Sequence, residues 1–260
     1  CDRVTLASRA PGSGLRVPLV SLGTATFGGE ANEFFSKWGT TDVLEATRLI
    51  DASLDHGVNF FDTANVYSLG QSEIVLGRAL GKKRNDAIIS TKATFSMGPG
   101  VNDRGSSRYH LIRQVEASLT RLGTDYIDVF FTHWFDSTTP IEETLSTLST
   151  LIQQGKIRYI GCSNFSSWQV MKSLWVAEKN FFSKYVVYQG YYSLIGRDYE
   201  QELRPMIEDQ NLGLMVWSPL GWARLTGKIS RSQPLKEGRI KNGGDVGGPA
   251  VSDDHLYDVV

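Results

Sequence analysis

The sequence predicts an α/β fold of the TIM (β/α)8 barrel class. Near-continuous apolar strands alternate with amphipathic helical segments, which is typical of a parallel sheet covered on both faces. The strand ends recur about every 28 to 41 residues, a spacing that suits successive βα units of a barrel. No G-x-G-x-x-G turn follows the first strand, so a doubly wound nucleotide-binding fold would lack its phosphate turn.

The predicted elements follow in order along the chain. Apolar runs rich in β-branched and aromatic residues predict strands at 19–23, 58–61, 87–91, 127–132, 157–161, 185–189 and 213–217. Between them, apolar positions at helical spacing predict helices at 42–56, 71–80, 107–121, 140–154, 167–179 and 198–210. The helical period is clearest where Leu111, Val115, Leu119 and Leu122 fall on one face.

These elements predict a single domain over residues 1–260. Residues 1–18 are expected to form a hairpin or lid, and residues 221–253, rich in Gly, Lys, Arg and Asp, a long loop. The pattern shows seven strands, so the last strand and helix of an eight-stranded barrel are expected to be absent from this chain. Because an open barrel exposes two sheet edges, we expect either a fragment or a strand supplied by another chain.

Composition narrows the range of functions. The 260 residues are 41% hydrophobic and carry a formal net charge of −1, so a basic field for nucleic acid or an anionic membrane is not expected. No apolar run of about 18 residues or signal sequence is visible, and Cys1 and Cys162 form no disulfide or metal pattern. We expect a cytoplasmic protein without a membrane partner, and its oligomeric state stays open.

Four ionisable or phenolic residues follow consecutive strands. Asp62 ends the second strand in NFFDTANVY and Tyr67 lies five residues on, while Lys92 and His133 end the third and fourth strands. Taken singly, each has an ordinary structural explanation, as a turn, packing, surface or core residue. The carboxyl ends of parallel strands meet at one edge, so together they predict one active site.

These residue types suit carbonyl chemistry. An ammonium beside a tyrosine favours the phenolate, and Asp62 would keep Lys92 charged and oriented. A neutral imidazole on His133 could donate a hydrogen bond to the same substrate oxygen as the phenol of Tyr67. None of these groups can supply a hydride, so the chemistry requires a reduced cofactor.

The motifs resemble those of the aldo-keto reductase superfamily from about Leu19 to Lys228. They are NFFDTANVY, GQSE, STK, the TH pair, GCSNF, YQ and WSPLG. The resemblance implies a catalytic tetrad of Asp62, Tyr67, Lys92 and His133, in which tyrosine is the general acid.

The resemblance also implies NADPH as the cofactor and places the loop 221–253 on the cofactor side. It assigns the nicotinamide carboxamide to Ser163, Asn164 and Gln189 and the nicotinamide ring to Trp217. Further implied cofactor contacts are Gly23, Thr24, Asp62, Ser218, Pro219, Leu220, Gly221, Leu225, Gly227 and Lys228. Helix capping is an equally good explanation of Ser163 and Asn164 by themselves.

Two departures from the family pattern stand out. The strand and helix that hold the adenosine 2′-phosphate have no counterpart, so the preference for NADPH over NADH comes from the family alone. Trp222 and Arg224 stand where many members have smaller residues, so the cofactor loop is expected to have a different shape. The substrate pocket is predicted to be aromatic, with walls from Phe27, Phe95, Trp134 and Tyr191.

The leading hypothesis is therefore an NADPH-dependent reductase of a small-molecule aldehyde or ketone. The alternative is a cofactor-sensing regulatory subunit without significant turnover, like the channel-associated relatives in this superfamily. A metal-dependent barrel hydrolase is a third interpretation, but His56, His110, His133 and His255 are scattered without ligand spacing, so no metal is expected.

Overall fold

The computed structural model describes residues 7–9, 12–29, 33–228, 230 and 253–259. Strands β1 (Ala7–Arg9) and β2 (Arg16–Pro18) pair antiparallel as a hairpin. Seven further strands form one parallel sheet in chain order. They are β3 (Leu22–Gly23), β4 (Phe60–Asp62), β5 (Ile88–Ala93), β6 (Ile127–Thr132), β7 (Ile157–Ser163), β8 (Val187–Tyr191) and β9 (Gly213–Trp217).

Helices alternate with these strands. They are α1 (Glu33–Ser36), α2 (Val43–Asp55), α3 (Gln71–Leu80), α4 (Arg108–Leu122), α5 (Ile141–Gln153), α6 (Ser167–Asn180), α7 (Leu203–Asp209) and α8 (Asp253–Val259). Short 3-10 turns cover Tyr67–Gly70, Gly81–Asp86 and Asp198–Glu200. Each strand from β4 onward lies beside the previous one in parallel, which is the βα repeat of a barrel.

Local sequence signals fix the ends of α2 and α4. Asp42 caps α2 by accepting from the Glu45 N–H at 2.8 Å, and Ser107 caps α4 by accepting from the His110 N–H at 3.3 Å. Gly123 ends α4 in the left-handed conformation, with φ of 63°. These caps explain why the predicted bounds of α2 and α4 agree with the structure to within one residue.

Several predicted strands differ from the structure by one or two residues at their ends, such as 185–189, which is β8 (Val187–Tyr191), and three departures are larger. The predicted helix 198–210 begins as a 3-10 turn and becomes α-helical at Leu203, because Pro205 is compatible only with a helix's first turn. The predicted strand 19–23 shortens to β3, since Leu19 and Val20 remain 60% and 63% exposed. The short helix α1 was not predicted.

The hairpin closes one end of the barrel. Strand residues alternate between an outer layer packed on the helices, which includes Phe61 and Phe130, and an interior cluster of Phe60, Val129 and Phe131. Leu15 and Val17 of the hairpin pack on that interior cluster. The barrel is therefore plugged at the amino ends of its strands, and its open mouth lies at their carboxyl ends.

Much of the predicted loop 221–253 falls outside the described residues, which include only 221–228, 230 and 253 of it. Residues 1–6 of the predicted hairpin segment also lie outside them. Within the described ranges, no helix combines the length and apolarity needed to cross a bilayer.

Candidate active site

Lys92 and Asp62 form a largely buried ion pair at the barrel mouth. Strands β4 and β5 run side by side with Asp62 opposite Ser90, which brings Lys92 just beyond the end of β4. The Lys92 Nζ donates to Asp62 Oδ2 at 2.7 Å and to the Thr63 carbonyl oxygen at 2.7 Å. With the Lys92 side chain 0% exposed, both contacts act without competition from water.

Two further side chains hold the carboxylate of Asp62. Ser90 Oγ donates to Asp62 Oδ1 at 2.5 Å, and Gln189 Nε2 donates to the same oxygen at 3.2 Å. Ser90 lies two residues before Lys92 on β5, so the strand's two-residue period points both side chains the same way. Sequence reasoning missed Ser90, although this alternation could have identified it.

Tyr67 lies beside the ammonium. The Lys92 Nζ is 5.0 Å from the centroid of the Tyr67 ring. Burial acts to lower the pKa of Lys92, but the charge of Asp62 and the proximity and hydrogen bonds of Asp62 and Tyr67 outweigh it, so this pKa is raised. Lys92 is therefore an ammonium placed where a phenolate would need a counter-charge.

His133 completes the group as a neutral imidazole. Its ring centroid lies 5.9 Å from that of Tyr67, with the planes at 81°. Burial lowers the pKa of His133 well below its usual value, and the positive charge of Lys92 lowers it further. The Nδ1 atom is buried without a hydrogen-bond partner among the described residues. A neutral imidazole retains one N–H that can donate to a ligand.

A strained turn holds Tyr67 in place. Ser68, Leu69 and Gly70 follow it with φ values of 49°, 52° and 92°, three consecutive left-handed residues of which two carry side chains. Such conformations persist only where their surroundings enforce them, and they concentrate at functional sites. The GQSE motif supplies that support, because Ser72 contacts the hydroxyls of Thr24 and Thr63 at 2.9 Å each.

Glu73 of the same motif anchors α3 to the strand that carries Lys92. Its buried carboxylate accepts from Thr91 Oγ1 at 2.5 Å and from Arg121 Nε at 2.5 Å. Thr91 is the immediate neighbour of Lys92 in β5. The contacts of Glu73 with Thr91 and Arg121 therefore link α3, α4 and β5 next to the Lys92–Asp62 ion pair. Sequence reasoning recognised the motif but assigned no role to Glu73.

The side-chain amide of Asn164 links the ends of several strands on the other side of the cavity mouth. Trp217 Nε1 donates to Asn164 Oδ1 at 2.9 Å, while Asn164 Nδ2 donates to Ser163 Oγ at 2.9 Å and to the His133 carbonyl oxygen at 3.2 Å. Asn164 adopts a left-handed φ of 60°, which asparagine tolerates better than most residues. Gln189 lies next to Asn164, because the Asn164 main-chain N–H donates to the main-chain carbonyl oxygen of Gln189 at 3.0 Å.

The sequence pattern of the Aldo/keto reductase family matches residues 19–244. The chain belongs to the aldo/keto reductase family. Members of this family are TIM barrels and generally use NAD(P)H. The predicted fold class is thereby confirmed, with seven parallel strands and alternating helices in the part of the barrel that the structure describes.

Similar curated proteins include oxidoreductases and channel subunits. A "Probable voltage-gated potassium channel subunit beta" of Arabidopsis thaliana is 37% identical over 95% of this chain and 74% of its own length. The "Uncharacterized oxidoreductase YrpG" of Bacillus subtilis is 38% identical over 85% of this chain and 68% of its own. "Norsolorinic acid reductase A" of Aspergillus parasiticus is 35% identical over 82% of this chain and 56% of its own.

A cavity of about 1560 Å³ occupies the interior and mouth of this aldo/keto reductase barrel. Most of the site residues expected from the sequence line it. They are Gly23, Thr24, Asp62, Tyr67, Phe95, His133, Trp134, Ser163, Asn164, Gln189, Tyr191, Trp217, Ser218 and Pro219. Lys92 lies behind the cavity wall in contact with Asp62, which accounts for its complete burial.

Other expected site residues do not line this cavity. Phe27 is a correction: it is 1% exposed, belongs to the core and pairs with Thr41, so it cannot contact a substrate there. Thr24 reaches the wall, but its hydroxyl is bonded to the Asp62 carbonyl oxygen and Ser72. The remaining ones lie further along the loop after β9 and are Leu220, Gly221, Leu225, Gly227 and Lys228.

In the part of the chain that the structure describes, no cluster of three His, Cys, Asp or Glu side chains suited to a metal ion occurs. Cys162 is buried, and burial raises the pKa of its thiol, so this thiol is not primed as a nucleophile.

Proposed function

We propose that this aldo/keto reductase reduces an aldehyde or ketone to an alcohol, with NADPH as hydride donor and Tyr67 as proton donor. The observation that carries the proposal is the buried contact of Lys92 with both Asp62 and Tyr67. A lysine that served only packing or solubility would not be desolvated between a carboxylate and a phenol.

Each member of the tetrad has a distinct part in the proposed proton transfer. Tyr67 donates its phenolic proton to the carbonyl oxygen as that oxygen becomes an alkoxide. Lys92 stabilises the phenolate left behind, and Asp62 keeps the lysine charged and fixed. His133, neutral because it is buried near Lys92, donates a hydrogen bond to the same oxygen and orients it.

The residues of the mouth fit a nicotinamide cofactor. A carboxamide needs both donors and acceptors, and Ser163, Asn164 and Gln189 provide them on one wall of the cavity. Trp217 presents a flat ring next to them, fixed by its bond to Asn164. When bound, NADPH would supply the hydride, and the choice of NADPH rather than NADH follows the family expectation.

The similar proteins support a reductase, since their printed names include an oxidoreductase and a norsolorinic acid reductase. We propose a small-molecule carbonyl substrate and neither a nucleic acid nor a membrane partner, in keeping with a net charge of −1. A cytoplasmic setting is also proposed, where a free thiol such as Cys162 stays reduced.

The second candidate is a cofactor-sensing regulatory subunit. Its support is the identity of 37% and 38% to probable potassium channel β subunits of Arabidopsis thaliana and Oryza sativa. Because the two candidates share a cofactor site, binding of NADPH alone does not distinguish them. The number of substrate molecules reduced by each chain does.

The deciding experiment counts turnovers with 4-nitrobenzaldehyde and excess NADPH. A reductase should oxidise many equivalents of NADPH per chain and release 4-nitrobenzyl alcohol, with or without a chelator. If NADPH binds but oxidation stops at one equivalent per chain, the regulatory candidate replaces the reductase.

A further inference from the structure

The turn of residues 66–72, which carries the proposed proton donor and is called the donor turn below, is bound to helix α4 at both ends. Before the donor turn, Asn65 Nδ2 donates to Gln114 Oε1 at 2.9 Å. After it, the carboxylate of Glu73 accepts from Arg121 Nε at 2.5 Å. Gln114 and Arg121 lie about two helical turns apart, or about 10 Å along one face of α4. This face of α4 therefore spans the donor turn.

The middle of the donor turn packs on the same face. Gly70 has a φ of 92°, and a β-carbon added to it would lie 2.7 Å from Arg121 Cδ and 3.0 Å from Arg121 Nε. The Gly70 backbone therefore lies directly against the arginine side chain, an approach that only glycine permits at this φ. Arg121 Nη2 also donates to Ser118 Oγ at 3.2 Å, so the guanidinium is held by α4 itself.

The same anchors contact the strand that carries Lys92. The Asn65 main-chain N–H donates to the Lys92 carbonyl oxygen at 3.0 Å. Glu73 accepts from the hydroxyl of Thr91, the residue before Lys92, at 2.5 Å. The anchors therefore fix the donor turn relative to β5 as well as to α4, and with it the position of the Tyr67 phenol relative to the Lys92 ammonium.

The main-chain bonds inside the donor turn are local. The Tyr67 N–H donates to the Ala64 carbonyl oxygen at 3.1 Å, and the Leu69 N–H donates to the Val66 carbonyl oxygen at 3.0 Å. Ser68 and Leu69 have φ values of 49° and 52°, in the left-handed region that residues with side chains avoid. Such a backbone persists only where neighbouring structure enforces it, and α4 is the neighbour that binds both ends.

These anchors lie away from the place where a ligand would bind. Among the described residues that line the cavity, neither Asn65, Gln114, Glu73 nor Arg121 occurs. The ion pair of Glu73 and Arg121 is 0% and 19% exposed at its two side chains, so water screens it little. Any influence of these residues on a reaction in the cavity must therefore pass through the groups that they hold.

We propose that helix α4, through Arg121 and Gln114, positions Tyr67 for proton transfer. The proposal rests on the proposed reductase function for its kinetic readout. Arg121 and Gln114 are positioning residues, because they contact neither substrate nor cofactor and act on the rate through the phenol of Tyr67. When an anchor is removed, the donor turn relaxes and the phenol leaves its place beside Lys92.

The test measures the single-turnover rate of hydride transfer with NADPH bound. Arg121→Met alone would leave the buried carboxylate of Glu73 without its cation, so the variant combines Glu73→Gln with Arg121→Met. We expect this paired variant to bind NADPH as the wild type does and to lose about tenfold to a hundredfold in rate, because a displacement of about 1 Å has an effect of that size. The matched control is Arg113→Met, the same change in a half-exposed ion pair on α4, which should keep the wild-type rate.

A double-mutant cycle with Tyr67→Phe separates positioning from general support of the fold. If the anchors act through the phenol, the paired substitutions have nothing left to act on in Tyr67→Phe and should not lower its rate further. If they support the fold in general, they lower the rate by the same factor in both backgrounds, and the proposal is wrong. It is also wrong if the paired variant keeps the wild-type rate.

A second variant decides if the paired variant does not fold. Gln114→Met removes the anchor at the other end of the donor turn and leaves no buried charge without a partner. A rate loss that disappears in the Tyr67→Phe background supports the proposal. A loss that persists there, or an unchanged rate, overturns it.

Hydrogen exchange separates this proposal from the reductase function. If the wild type reduces no aldehyde, the reductase function fails, and exchange of the main-chain amides over residues 65–73 decides. Faster exchange confined to these residues in Gln114→Met or in the paired variant, and not in Arg113→Met, supports the role of α4. Unchanged exchange there, or faster exchange over the whole chain, overturns it.

Discussion

Removing the Lys92 ammonium should separate its structural effect from its catalytic one. In Lys92→Met the carboxylate of Asp62 stays buried and keeps only Ser90 and Gln189 as side-chain donors. Losing one partner of a buried ion pair costs about 3–5 kcal/mol of unfolding free energy. The matched control is Lys83→Met, whose half-exposed pair with Asp51 should contribute less than about 1 kcal/mol.

The catalytic effect has a separate magnitude. At a separation of about 4 Å and an effective dielectric of about 20, an ammonium and a phenolate attract each other by at most about 4 kcal/mol. Lys92→Met should therefore reduce kcat by up to about a thousandfold. A second substitution, Asp62→Asn, removes the uncompensated charge, so the double variant should recover much of the stability but none of the activity.

The assays are urea denaturation followed by tryptophan fluorescence and NADPH oxidation at saturating cofactor. Two results would refute the reasoning. One is a stability loss in Lys92→Met no larger than in Lys83→Met, which would mean that the pair is not desolvated. The other is a double variant that regains turnover, which would mean that the ammonium has no direct part in it.

Three further predictions follow from individual residues. Burial lowers the pKa of His133 and His110 in the folded chain, so the unfolded chain binds more protons at acid pH and stability must fall as pH drops through 6.5. His133→Gln should flatten that fall by up to about 1.4 kcal/mol per pH unit in urea titrations; an unchanged slope would count against a neutral His133. Ser68→Gly should raise the unfolding free energy by about 0.5–1 kcal/mol, because glycine accepts the left-handed φ of 49°; a loss in thermal denaturation would contradict the strain. Ser90→Ala removes a donor to Asp62 and should cost about 1.5–3 kcal/mol by denaturation; unchanged stability would show that this bond is not important.

The fold could be predicted because its signals are local and repeated. Strands 127–132 and 213–217 and helix 71–80 agree with the structure residue for residue, since apolar runs there end at clear turn residues. The predicted strand 19–23 and the predicted helix 198–210 are wrong because residue type alone does not decide the local structure there. Leu19 and Val20 have strand-forming side chains yet stay exposed, and the 3-10 turn before α7 depends on Pro205 rather than on apolar period.

The sequence predicts that the site residues lie close together, because they follow the ends of consecutive parallel strands. It does not predict the direction in which each side chain points. Strand ends place Asp62, Lys92 and His133 at one edge of any parallel barrel, which the sequence order alone indicates. Whether an aromatic ring turns into the cavity depends on backbone angles that the sequence does not reveal. Phe27 turns into the core, and Trp222 reaches the cavity through a left-handed backbone.

The most direct test of the tetrad is the rate of hydride transfer in a single turnover with NADPH already bound. Tyr67→Phe removes only the phenolic oxygen, and Tyr109→Phe makes the same change on the exposed face of α4. Tyr67→Phe should bind NADPH as the wild type does but lose at least about a hundredfold in rate, while Tyr109→Phe stays at the wild-type rate. Equal rates in the two variants would show that the phenol beside Lys92 does not deliver the proton.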